Sequence, residues 1–241
     1  MKNFFIKKIK DNICFFYDDD INHLKNVLRI KLNDKIICIF DGKKYLCRIN
    51  SLNPLNALII QENNDFCEFK NHEIRLYQAV IKPKHMEWIL AKCTELGISE
   101  IVPVVFSRSQ TNNLINQSRM QNIVLSSAKQ AGRNILPCVK NAKKYMELID
   151  DFMELDYLLV PYENENEQLF GQIINQLDFH SHQKIGILVG PEGGFSLQEI
   201  DIIKKMPNVK LVSLTKTILR SETASFYTLS ILVNHLLKEG L

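Results

Sequence analysis

Ile185-Gly-Ile-Leu-Val-Gly-Pro-Glu-Gly-Gly-Phe-Ser-Leu-Gln-Glu-Ile200 is the stretch on which the fold of this chain turns. Residues 185–189 form a short apolar run, the composition expected of a strand buried on both faces. Ser196 with Glu199 three residues on makes a capping box, in which each side chain satisfies a free backbone N–H at a helix start. Phe195 and Ile200 flank the cap at the spacing of a hydrophobic staple. A helix therefore opens at Leu197, and a glycine-rich loop joins it to a buried strand. A strand covered on both faces and followed by a helix belongs to an α/β fold.

The same rhythm extends outward in both directions. Pro83 opens a helix whose apolar positions Met86, Ile89, Leu90, Cys93 and Leu96 recur at helical spacing, with Gly97 closing it. Residues 101–106 follow as a strand, where Pro103 suggests an edge or an irregularity, and residues 117–131 as a helix closed by Gly132. Residues 155–160 and 209–214 are further buried strands, and the helix over residues 222–237 is apolar over most of its circumference. Trp88, at helical spacing, is expected in the core.

Upstream of about residue 82 the pattern is β-rich instead. Strands at 35–40 and 45–49 flank Asp41-Gly42, a dipeptide suited to a tight hairpin, and 57–61 and 74–81 read as further strands. A small β-barrel over residues 1–70 and an α/β domain over 71–241 is the economical division. Residues 1–50 carry nine lysines and two arginines against six aspartates, a net +5, on a chain whose total is only +3. A basic module on a near-neutral body suits a polyanion such as RNA. No run is long enough to cross a bilayer, the N-terminus lacks the apolar centre of a signal peptide, and the six cysteines form no C-x-x-C pair. A cytoplasmic protein with reduced thiols, no metal site and no membrane association is expected.

The loop Gly190-Pro-Glu-Gly-Gly194 is neither a P-loop, since no Gly-Lys-Ser/Thr follows, nor a dinucleotide fingerprint, since Pro191 removes a donor. Its missing Cβ atoms still allow a ligand close to the backbone, and Glu192 disfavours a strongly anionic one. A second constellation, Leu214-Thr-Lys-Thr-Ile-Leu-Arg220-Ser-Glu-Thr-Ala224, lies between the last strand and the final helix. Ser221 or Thr223 can cap that helix and Glu222 complements its positive end, while Arg220 has no evident structural use there.

Taken with these two loops, the chain resembles the RsmE family of the SPOUT superfamily. The resemblance rests also on His23-Leu-Lys-Asn-Val-Leu-Arg29, Lys92-Cys-Thr-Glu-Leu-Gly97 with Ile101-Val-Pro103, Arg108-Ser109, and Gln130-Ala-Gly-Arg133 with Pro137. It spans nearly the whole chain. It implies a PUA-like RNA-binding barrel and a SPOUT domain with a trefoil knot, S-adenosyl-L-methionine as cofactor, a homodimer, and methylation of N3 of a uridine in 16S ribosomal RNA of the small subunit. The cofactor would be held by Leu188, Val189, Gly190, Pro191, Glu192, Gly193, Gly194, Leu214, Thr215, Ile218, Leu219, Thr223 and Ala224. Thr215 departs from the family, which has glycine there, and brings the local loop geometry into question.

Uridine N3–H is a weak acid, so the reaction needs a base or a cation that stabilises charge on the flanking carbonyls. Arg220, Glu222 and Arg133 are the catalytic candidates, in that order, and Arg29, Lys25 and His23 the RNA-binding ones. An inactive RNA-binding or ribosome-assembly factor on the same scaffold, and a methyltransferase acting on another base or on ribose, are the competing functions.

Overall fold

The computed structural model describes residues 3–63, 72–109, 115–179 and 183–238; the expected boundary near residue 70 lies outside them. The chain forms two compact units, residues 1–68 with 128–136, and residues 69–127 with 137–241.

In the first unit, β1 (Asn3–Lys10), β2 (Ile13–Phe16), β3 (Lys35–Phe40), β4 (Lys43–Leu52) and β5 (Leu55–Asn63) close into a barrel in the order β1-β2-β5-β4-β3. The ring is completed by parallel pairing of β1 with β3. Alternate residues point inward, so Phe4 and Ile6, Cys14 and Phe16, and Cys47 and Ile49 fill the interior. Asp41 and Gly42 turn the β3–β4 hairpin with φ of 49° and 73°, as that dipeptide predicts. Barrel closure also does what chain spacing does not suggest: the sulfur atoms of Cys14, Cys38 and Cys47, buried thiols on three different strands, lie within 4.8 Å of one another. Between β2 and β3 sit α1 (Asp18–Asn22) and a π-helical turn (His23–Val27).

The second unit is built on a sheet in the order β12-β10-β11-β6-β7-β8, with β9 also pairing β7. Its strands are β6 (His72–Ala79), β7 (Glu100–Val105), β8 (Cys138–Val139), β9 (Lys143–Lys144), β10 (Tyr157–Pro161), β11 (Gln183–Val189) and β12 (Val209–Val212). Every pairing is parallel. One face carries Ile74, Leu76, Ile185 and Ile187, packed under α2 (Pro83–Glu95), α3 (Gln117–Ala131) and α7 (Ser221–Lys238). The other carries Tyr77, Ala79, Leu158 and Leu188, packed under α4 (Ile149–Met153) and α6 (Leu197–Ile203). A short helix, α5 (Phe170–Ile173), precedes β11.

Two expectations are corrected. Strand β7 is not an edge: it pairs β6 throughout, β8 at Glu100 and Ile101, and β9 at Val104 and Val105. Pro103, with no N–H to give, falls in the gap between those two short partners. Trp88 is not core but 51% exposed, its ring edge-on to Phe226 of α7 at 4.7 Å. Among the described residues no helix is long and apolar enough to cross a membrane.

Candidate active site

The glycine-rich loop leaves the end of β11, and the capping box that follows it forms as expected. Ser196 Oγ accepts from the Glu199 backbone N–H at 3.3 Å, and Glu199 Oε2 accepts from the Ser196 N–H at 2.7 Å. Glu199 does more than cap. Its other oxygen accepts from the Ser107 N–H at 2.8 Å, pinning the turn after β7 to the start of α6. Tyr145 donates to the Glu199 carbonyl at 3.1 Å; burial, with a smaller push from the Glu199 charge, raises that phenol to about 12. Phe195 and Ile200 are both buried in the same cluster, as the staple requires.

Glycine is needed in this loop for two separate reasons. A Cβ on Gly190 would come within 3.0 Å of the Phe195 ring, and Gly194 has φ of +68°. The loop is then held from outside. Arg108 Nη1 donates to the carbonyl oxygens of Gly193 at 2.8 Å and Phe195 at 3.2 Å.

The second loop, residues 213–220, is tied to the first through α7. Ser221 Oγ donates to the Gly190 carbonyl at 2.7 Å and accepts from Gln78 Nε2 at 2.9 Å. Gln78, fully buried at the end of β6, accepts through Oε1 from Ser225 one turn further along α7. Ser221 is therefore not a free helix cap: it is the first residue of α7, and its hydroxyl is used to join helix, loop and sheet. Thr215 does not adopt positive φ, and its hydroxyl donates to the Thr217 carbonyl at 2.6 Å.

The structure thus brings together residues 190–194 and 218–224. Leu188 and Val189 are buried in β11, so they offer backbone rather than side chains at the loop's root. Ile218 is 83% exposed and Leu214, Thr215 and Leu219 are half-buried. Thr223 is exposed and Ala224 buried. Arg220 is exposed with no ion pair among the described residues, whereas Glu222 is only 6% exposed. Arg133 is 3% exposed and belongs to the barrel unit, not to the unit that holds the two loops. In that barrel unit, Lys25 donates to Asn53 Oδ1 at 3.2 Å, and His23 and Arg29 are exposed, Arg29 with φ of 48°. Arg29 is not tied to Asp34, whose carboxylate accepts from the Lys31 N–H at 2.7 Å.

Sequence reasoning did not assign Gln78, His85, Arg108 or Ser225 to the site. Arg108 lay in a recognised motif whose purpose only the carbonyl contacts reveal. Gln78 and Ser225 are polar residues on otherwise apolar faces, a signal present in the sequence but silent about partners 147 residues apart.

A parallel sheet thus holds a glycine-rich loop tied to a second loop at its C-terminal edge, on a chain that also forms a small barrel, and the family models that match these two parts make the chain an RNA methyltransferase. Residues 68–233 match the RNA methyltransferase domain family, and residues 16–62 the RNA methyltransferase PUA domain family. The chain is similar to the ribosomal RNA small subunit methyltransferase E of Mesomycoplasma hyopneumoniae, 32% identical over 95% of this chain and 98% of that protein. It is also similar to the Bacillus subtilis protein of the same name, 29% identical over 95% of each. A crystal structure of the Neisseria gonorrhoeae enzyme of that name, bound to S-adenosyl methionine, superposes with a TM-score of 0.81 at 29% identity over 95% of each chain. The chain belongs to the ribosomal RNA small subunit methyltransferase E family.

Proposed function

We propose that this protein transfers a methyl group from S-adenosyl-L-methionine to N3 of a uridine in 16S ribosomal RNA, in the cytoplasm and as a homodimer. The observation that carries the reading is the Ser221–Gly190 hydrogen bond, which fixes residues 190–194 against residues 218–224. The residues present fit the cofactor: Glu192 offers an exposed carboxylate to a cationic group and Ile218 an exposed apolar face to adenine. Leu188, Val189, Pro191, Leu214, Thr215, Leu219, Thr223 and Ala224 complete the proposed pocket. The trefoil knot implied by the family resemblance would be drawn through these two loops.

When bound, S-adenosyl-L-methionine supplies an electrophilic methyl group. The protein's own task is to hold the uracil ring in line with it and to ease loss of the N3 proton. Arg220, exposed and without an ion pair among the described residues, is suited to stabilise negative charge spreading over the flanking carbonyls. Glu222, buried at the first turn of α7, is the second candidate and Arg133 the third. Arg29, Lys25 and His23 present a polar surface on the barrel unit for the RNA backbone. The exposed aromatic surface of Trp88 and Tyr227 supports self-association through α2 and α7.

Mass mapping of 16S ribosomal RNA nucleosides from cells with and without the protein tests the reading. One 3-methyluridine is expected to disappear in its absence; an unchanged 3-methyluridine content would overturn the proposal.

A further inference from the structure

His85, on the first turn of α2, faces the proposed cofactor loops from a third direction. Its Nδ1 lies 3.7 Å from Glu192 Oε1, on the glycine-rich loop, and 3.6 Å from Glu222 Oε1, on α7. That nitrogen is buried and has no hydrogen-bond partner, although it sits a few tenths of an ångström beyond reach of two carboxylates. Among the described residues neither glutamate has any other cationic partner.

Two carboxylates converging on one point repel each other, and burial of Glu222 sharpens the penalty unless a donor stands between them. A bare Nδ1 would add a third lone pair to that point, whereas an Nδ1 that carries its proton supplies the donor. We propose that His85 is a positioning residue whose Nδ1–H clamps Glu192 to Glu222, fixing the glycine-rich loop against α7 and so shaping the cofactor site. The inference rests on the reading of these loops as the S-adenosylmethionine site.

No other described group competes for this position. On the same segment Lys82 and Lys84 are exposed, and Glu87 is engaged by Arg119 at 2.8 Å. Arg220, beside α7, is exposed and makes no ion pair among the described residues, and Glu192 and Glu222 are the charged groups facing His85 from the loop and from α7. Lysine at this position would supply donors to both carboxylates.

Calorimetric binding of S-adenosylmethionine to the full-length protein provides the test, with His85→Ala and His85→Lys alongside the wild type. His85→Ala should bind about tenfold more weakly than wild type, the scale of a lost hydrogen bond to a charged group. His85→Lys restores a donor between the two carboxylates and should recover most of that loss. Equal affinity of His85→Ala and wild type would overturn the inference, as would a His85→Lys variant that binds as weakly as His85→Ala. If thermal melting shows His85→Ala unfolded, the comparison of His85→Lys with wild type decides alone. A wild-type protein that binds no S-adenosylmethionine would instead refute the cofactor site itself.

Discussion

Ser221 donates its only hydroxyl proton to the Gly190 carbonyl while accepting from Gln78, so one side chain on α7 satisfies both the glycine-rich loop and the end of β6. Ser221 and Gln78 are buried and Gly190 is half-buried, and removing that hydroxyl would leave the Gly190 carbonyl and the Gln78 amide each short of a partner. Ser221→Ala is expected to cost about 1–3 kcal/mol of stability, the range for stranding buried polar groups. It should also weaken S-adenosylmethionine binding, because the loop loses its tether. Urea unfolding and calorimetry measure the two effects; a variant with wild-type midpoint and wild-type affinity would show the tether to be dispensable.

Arg220 stands apart from that network. It is exposed and makes no ion pair among the described residues, so Arg220→Ala should leave stability within about 0.5 kcal/mol of wild type. If its guanidinium stabilises the developing uracil anion, single-turnover methylation of small ribosomal subunits should fall about 10²–10³-fold. A rate unchanged from wild type would remove Arg220 from the chemistry.

These two neighbours show how unevenly the site was written into the sequence. The Ser196–Glu199 cap was legible because it is a local exchange of hydrogen bonds over three residues. The role of Ser221 was not: as a residue before a helix it reads as a cap, and only the parallel sheet brings Gly190 and Gln78 to its hydroxyl. His85 was silent for the same reason, since its partners are 107 and 137 residues away in the chain. Trp88 misled because helical spacing marks a face without saying what covers it. Strand β1 was missed because its lysines blur the alternation, and β2 because four apolar residues show none, though buried Phe4, Ile6, Cys14 and Phe16 hold it.

Arg29 tests the barrel's part. Its backbone is in the left-handed region just past the π-helical turn, and its side chain is exposed and makes no ion pair among the described residues, so the guanidinium is available to a phosphate. Arg29→Ala should weaken binding to 16S ribosomal RNA fragments and lower the slope of log affinity against log salt by about one. Filter binding between about 50 and 200 mM salt reads that slope. An unaltered slope would place the RNA contact elsewhere.

Tyr145 links the site's stability to pH. Its phenol is buried against Phe106, whose ring stacks on it at 5.2 Å, and desolvation pushes it to about 12 from the ordinary value of 10.0. The neutral form is favoured in the folded state, so the unfolded chain loses this proton first as pH climbs. The associated stability is complete below pH 10 and is lost between about 10 and 12, amounting at most to about 2–3 kcal/mol. Tyr77, also raised by burial, contributes in the same direction. Tyr145→Phe cannot ionise, so its urea midpoint should fall less steeply than that of wild type from pH 9.5 to 11, even though loss of the bond to the Glu199 carbonyl lowers its stability at pH 8. Parallel curves for the two proteins would mean that the Tyr145 phenol meets solvent more freely than its burial here implies.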